Sequence, residues 1–158
     1  MRFVRFVFLA LILTAASPTW ASEPIRGTVS VIDGDTVEIS GERIRLYGID
    51  APESRQNCTK DGQPWRCGQD AAFAVADKIG LNPIECERKG KPDRYGRTVA
   101  VCRLNGEDLN AWMVSQGWAL AYRQYSLDYV SKENEAREAK RGVWASEFAP
   151  PWEWRQGN

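Results

Sequence analysis

The chain has 158 residues with 21 basic and 21 acidic side chains, and it contains no histidine. That absence excludes Ser-His-Asp and Cys-His hydrolases, histidine zinc sites and paired-histidine ribonuclease chemistry, leaving carboxylates as the main general bases at neutral pH. The balanced charge excludes global attraction to a polyanion, so any nucleic-acid chemistry needs a local basic patch and a neutralised acidic cluster.

At the start, Arg2 and Arg5 precede an apolar run from Phe6 to Leu13, and small residues follow at Thr19 and Ala21. This is the build of a secretory signal peptide over residues 1–21, cleaved after Ala21. The apolar run falls short of the roughly 20 residues a membrane span requires. No cysteine lies near the cut, so neither a lipid anchor nor a stable membrane anchor is expected afterwards. Losing Arg2 and Arg5 leaves 19 basic against 21 acidic residues, a net charge of −2. The remainder has the size of one domain, expected over residues 22–144, followed by a tail over 145–158 with Pro150-Pro151-Trp152-Glu153-Trp154.

Arg26 to Ile32 reads as a strand, Thr36 to Ser40 as a second after the Asp33-Gly34-Asp35 corner, and Arg43 to Ile49 as a third ended by Pro52. Two cysteines, Cys58 and Cys67, then bracket a polar loop. Apolar spacing at Ala72, Val75, Ala76 and Ile79 predicts a helix from Gln69 to Ile79, stopped by Gly80. Pro83 to Glu87 and Thr98 to Leu104 read as strands flanking the basic loop Arg88–Arg97. Asp108 caps a helix over Leu109–Gln116, and a last helix runs from about Leu127 to Arg141. Five strands and three helices suit an α+β fold built on a small Greek-key barrel of the OB type. The four cysteines, Cys58, Cys67, Cys86 and Cys102, allow three connectivities in an exported chain. Cys58–Cys67 and Cys86–Cys102 are favoured, the first closing the polar loop and the second joining neighbouring strands. Trp152 and Trp154 are expected to pack the tail back on the domain.

Chemistry concentrates in Asp33, Asp35, Arg45, Asp50 and Glu53, with Arg97 arriving from the basic loop. Alone, Asp-Gly is a hairpin corner and a single strand Arg is a surface ion pair. Together, carboxylates from different strands can converge on one hard cation, Ca²⁺ or Mg²⁺, while guanidinium forks grip a phosphate as its charge grows. Glu53, aimed by the rigid Pro52, can take a proton from water.

Three motifs carry a family resemblance: Ile32-Asp33-Gly34-Asp35-Thr36-Val37, Arg45-Leu46-Tyr47-Gly48-Ile49-Asp50-Ala51-Pro52-Glu53, and Asp93-Arg94-Tyr95-Gly96-Arg97. In order and spacing they resemble the staphylococcal nuclease (thermonuclease) family, from about Glu23 to Trp144. The resemblance implies an OB barrel with three helices and a secreted, Ca²⁺-dependent, sugar-nonspecific endonuclease that leaves 3′-phosphates on DNA and RNA. It implies Asp35, Asp50 and the Ala51 backbone carbonyl as metal ligands, with Asp33 in support. Arg45, Arg97 and Glu53 match the catalytic residues, and Arg94, Tyr95, Tyr122 and Tyr125 stand where substrate would be contacted. The Tyr122 and Tyr125 spacing departs from the family by one residue. Ala51 stands where the family often has Thr, from which altered calcium affinity is expected. A monomer in the periplasm or outside the cell is expected. Two alternatives stand beside this reading: a catalytically weak nuclease-like binding module, and an envelope protein linked to surface polysaccharide production.

Overall fold

A computed structural model describes residues 23–157; the expected signal peptide over 1–21 lies outside the described residues. Among those residues, no helix is long and apolar enough to cross a membrane. The main sheet is built from β1 (Ile25–Gly27), β2 (Ser30–Asp33), β3 (Thr36–Ile39), β4 (Glu42–Leu46), β8 (Ile84–Arg88), β9 (Thr98–Leu104) and β10 (Glu107–Asp108). Its order is β1-β8-β9-β4-β3-β2, with β10 on β9. All pairings are antiparallel except β4 with β9. β1 and β2 lie at opposite edges of the sheet, yet only Thr28 and Val29 separate them in the chain. A flat sheet of that width cannot have its two edges joined by two residues, so the sheet curls into a barrel-like half-cylinder. The single strand expected over Arg26–Ile32 is therefore two strands, one serving each edge.

Smaller pairs complete the β-structure. β5 (Ile49–Asp50) pairs with β11 (Leu120–Ala121), and β6 (Cys58–Lys60) pairs with β7 (Gln63–Trp65). The helices are α1 (Cys67–Ile79), α2 (Leu109–Ser115), α3 (Val130–Glu138) and α4 (Pro151–Gly157), with a 3₁₀ turn over Gly142–Ala145. The fourth helix is the departure from the expected three, and it comes from the Trp- and Pro-containing tail. Pro151 opens it at a position where the missing N–H is harmless.

The core fills the curl. Val37, Ile39, Ile44, Leu46, Ile84, Ala100 and Leu104 from the strands meet Val75 and Ile79 of α1 and Leu109, Met113 and Val114 of α2. The Asp108 carboxylate caps α2 by accepting from the Ala111 N–H at 2.9 Å. Buried Asn110 accepts from the Cys102 N–H and donates to the Tyr47 and Ala100 carbonyls, fastening α2 to β9 and to the turn after β4. The disulfides are Cys58–Cys67 and Cys86–Cys102. Cys86 and Cys102 stand directly opposite each other on β8 and β9.

Candidate active site

The site forms where one end of β3, β4 and β9 meets the chain following β5. Register places Thr36 beside Arg45 and Arg45 beside Val99, so Asp35, Arg45 and Arg97 start within a few residues of one another on neighbouring segments. On β4 the alternating side chains bury Ile44 and Leu46 in the core and send Arg45 to the other face. The chain then turns back through β5, bringing Asp50 under the same guanidinium.

Arg45 is the hub. Its Nη1 donates to the Leu46 and Ile49 carbonyls at 2.9 and 2.8 Å, which fixes the fork. Its Nη2 lies 2.8 Å from Asp50 Oδ1 and 3.0 Å from Asp35 Oδ2. Asp35 Oδ2 also accepts from the Ala51 N–H at 2.8 Å, and Asp35 Oδ1 accepts from the Thr36 hydroxyl at 3.1 Å. The Asp33 carboxylate accepts from the Asp35 N–H at 3.0 Å, a local turn that aims Asp35 inward. Gly34 lets this corner press on the neighbouring chain: a Cβ there would stand 2.7 Å from the Ala51 Cβ.

Arg97 is held by Asp93, which takes the Arg97 N–H at 2.9 Å and Nε at 2.8 Å. Its Nη1 donates to the Thr36 hydroxyl at 3.2 Å. Thr36 thus stands between Arg97 and Asp35. The Arg97 guanidinium also lies over the Tyr95 ring, 5.4 Å from its centroid. Arg94 donates to the Tyr95 hydroxyl at 2.6 Å and lies over its ring, on the exposed tip of the same loop. Tyr122 and Tyr125 meet edge to face at 4.9 Å, beside a cleft of about 300 Å³ lined by Ala121, Tyr122, Arg123, Gln124, Trp152 and Gln156. Buried Glu133 accepts from the Ala121 N–H at 3.0 Å and pairs with Arg123, anchoring the strand that carries Tyr122. A larger cleft, about 460 Å³ between β2 and α1, contains none of these catalytic candidates.

Glu53 sits on a turn that sequence reading described only through Pro52. Gln56 accepts the Glu53 N–H through its side chain, and its own N–H donates to the Glu53 carbonyl at 2.7 Å. Gly68, in the first turn of α1, packs against the same peptide; a Cβ there would fall 1.7 Å from the Glu53 carbonyl oxygen. Neither contact has a local signal: the sequence pattern starts the helix at Gln69, and only the structure, in which α1 begins at Cys67, puts Gly68 in a helical turn.

The largest omission of the sequence reading is Arg155. From α4 it straddles Asp50, with Nη1 at 3.1 Å from Oδ1 and Nη2 at 2.8 Å from Oδ2, and Nη1 also reaches Glu53 Oε1 at 2.6 Å. Trp152, one turn earlier, lies flat on Tyr122 with centroids 5.4 Å apart and planes 4° from parallel.

The acidic charge gathered here is costly. Burial, with the Asp35 charge added, lifts the Asp33 carboxyl to about 7. Burial likewise raises Asp50 above the ordinary carboxylate range, opposed by the hydrogen bond from Arg155 and the charge of Arg45. Such a site favours a cation. Its donors are oxygens throughout, a set suited to a hard ion such as Ca²⁺ or Mg²⁺. Among the described residues no three carboxylates close on one point. Asp35 and Asp50 do approach one common position, that of Arg45 Nη2, and the Ala51 backbone is adjacent to both. Two carboxylates and a backbone oxygen are the kind of donors a hard ion takes, and here their shared position is filled by the guanidinium.

Residues 43–146 match the family described as Staphylococcal nuclease homologue. The chain belongs to that family. The match takes in all of β4 but Glu42, with Asp50, Glu53 and Arg97; it begins after Asp33 and Asp35 and stops short of α4. Among curated relatives, the chain is 39% identical over 150 residues to the succinoglycan biosynthesis protein ExoI of Rhizobium meliloti (strain 1021), covering 92% of this chain and 77% of that protein. It is 35% identical to Protein ParB of Escherichia coli, covering 92% and 86% of the two chains. It is 33% identical to the micrococcal nuclease of Shigella flexneri, covering 98% of this chain and 93% of that one.

Proposed function

We propose that this member of the staphylococcal nuclease family is an exported, Ca²⁺-dependent, sugar-nonspecific endonuclease that hydrolyses phosphodiester bonds of DNA and RNA and leaves 3′-phosphate ends. The observation that carries the reading is the contact set around Arg45, in which two carboxylates, one from the turn between β2 and β3 and one from β5, share one guanidinium nitrogen with Arg97 one hydroxyl away. Its likeness to the Shigella flexneri micrococcal nuclease, which spans nearly both chains, supports the same chemistry.

In this reading Asp35, Asp50 and the Ala51 carbonyl hold the ion, and Asp33 supports them by fixing the Asp35 turn. When bound, Ca²⁺ neutralises the carboxylates and acts as a Lewis acid at a phosphoryl oxygen. Arg97, fixed by Asp93, donates to a non-bridging oxygen. Arg45 supplies positive charge at the opposite side, and both interactions strengthen as charge builds on the phosphoryl oxygens. Glu53 receives the proton of the attacking water. Tyr95, Arg94, Tyr122 and Tyr125 contact the nucleotides, their rings stacking on bases without regard to sequence. Export is supported by the two disulfides, which persist in oxidising compartments.

The test is hydrolysis of DNA and RNA by the oxidised protein in Ca²⁺ and in chelator, with product ends identified. Calcium-dependent cleavage to 3′-phosphates is expected; chelator-resistant cleavage or 5′-phosphate ends would overturn the assignment. A second reading is favoured by one observation, the 39% identity to a protein named for succinoglycan biosynthesis. It places the chain in surface polysaccharide production, and a polysaccharide arm in the same assay separates the two.

A further inference from the structure

The contact between α4 and the carboxylates is unexplained by the catalytic scheme, and it lies beyond the segment that matches the family. The tail is fastened independently of it. Thr59 and Glu147 exchange two backbone hydrogen bonds of 2.8 Å, Gln56 donates to the Ala149 carbonyl at 2.7 Å, and Pro151 is buried. Trp152 is stacked on Tyr122. These contacts deliver α4 to the rim, and Arg155 then extends over it.

What Arg155 covers is specific. Asp50 has no exposed side-chain surface, and Arg155 takes both of its oxygens. With Arg45 on Oδ1 as well, the carboxylate accepts three guanidinium N–H groups. Arg155 also holds Glu53 by the same nitrogen that touches Asp50. Those lone pairs are the ones a divalent cation needs, and two cations at one carboxylate repel in a partly desolvated site. Arg155 therefore behaves as a built-in counter-cation for the acidic cluster. Its side chain is 38% exposed, so it can leave towards solvent without dismantling the core.

We propose that Arg155 and the divalent cation are alternative occupants of Asp50, so that loading the metal releases Arg155 and sets Glu53 free. The proposal rests on the reading of Asp35 and Asp50 as the metal carboxylates. It makes Arg155 a determinant of metal affinity, acting through Asp50. The tail then links metal occupancy to the aromatic wall, because the helix that carries Arg155 also carries Trp152.

The test is calorimetric Ca²⁺ binding to the oxidised protein without nucleic acid, comparing wild type, Arg155→Gln and a chain ending at Pro150. Removing the competing charge is expected to tighten Ca²⁺ binding about tenfold in both variants, with Arg155→Lys between them and wild type. The truncated chain serves as a second measurement should Arg155→Gln perturb folding. In wild type, amide exchange across Trp152–Arg155 is expected to rise on adding Ca²⁺. Wild-type binding with equal or weaker affinity in both variants overturns the inference and leaves the metal reading standing. Unchanged exchange at α4 overturns the release. Absence of Ca²⁺ binding in all the proteins removes the metal reading and the inference with it.

Discussion

Replacing Arg45 with Met tests whether the acidic cluster is held together by one buried guanidinium. Arg45 is 13% exposed at its side chain, and its partners Asp35 and Asp50 are 10% and 0% exposed. Met keeps much of the stem volume but leaves both carboxylates and the Leu46 and Ile49 carbonyls short of donors. Removing one partner of a buried ion pair costs about 3–5 kcal/mol. Arg155 still covers Asp50, so a loss at the lower end, about 3 kcal/mol, is expected in the metal-free protein at neutral pH. The loss should also depend on pH. Asp50 already has a raised folded pKa, so the folded state holds the extra proton and stability falls as pH climbs through the window above the ordinary value. Arg45 works against that rise, and without it the Asp50 carboxyl moves further up. The gap between wild type and Arg45→Met should therefore widen from pH 5 to pH 8. Urea unfolding in chelator, followed by tryptophan fluorescence at both pH values, measures it. A loss below about 1 kcal/mol, the range of exposed pairs, or a loss equal at both pH values, would show that solvent screens the cluster.

Glu53→Gln is expected to lower turnover about 10²–10⁴-fold, the usual contribution of a positioned base, while stability changes by less than about 1 kcal/mol because its pair with Arg155 is partly exposed; turnover within a factor of a few of wild type would remove Glu53 from the proton step. Asp33→Asn should flatten the pH dependence of metal-free stability. Asp33 has its folded pKa raised to about 7, so wild type loses stability as pH rises between the ordinary aspartate value and about 7, and the amide variant does not. Thermal unfolding from pH 4.5 to 8 in chelator checks this, and parallel curves would contradict it. Gly68→Ala should destabilise the protein by about 2–4 kcal/mol and displace the Glu53 turn, since the new methyl would meet backbone rather than a movable side chain. Unfolding and turnover should both suffer in that variant, and a wild-type Tm would mean the turn moves freely.

The local chemistry of this chain was legible without coordinates. Thr98–Leu104 is a strand as expected, Asp108 caps α2, and the cysteines pair within loops and across neighbouring strands, because turn residues, capping residues and periodicity act over a few positions. The candidate carboxylates and arginines were picked out the same way, since their motifs are contiguous and their residue types allow few other reactions. What lay beyond reach arises between distant segments. The split of the first strand into β1 and β2 is decided by the closing of the sheet, and nothing in Arg26–Ile32 encodes it alone. Gly68 against Glu53, Gln56 against Ala149, and Arg155 against Asp50 join residues 15, 93 and 105 positions apart. A lone Arg in a polar tail is indistinguishable from solvated surface until the fold shows which carboxylate it meets. Composition and local pattern determined the kind of chemistry available, whereas tertiary packing decided which charges meet, because electrostatic and steric contacts depend on distance in space and carry no periodic trace along the chain.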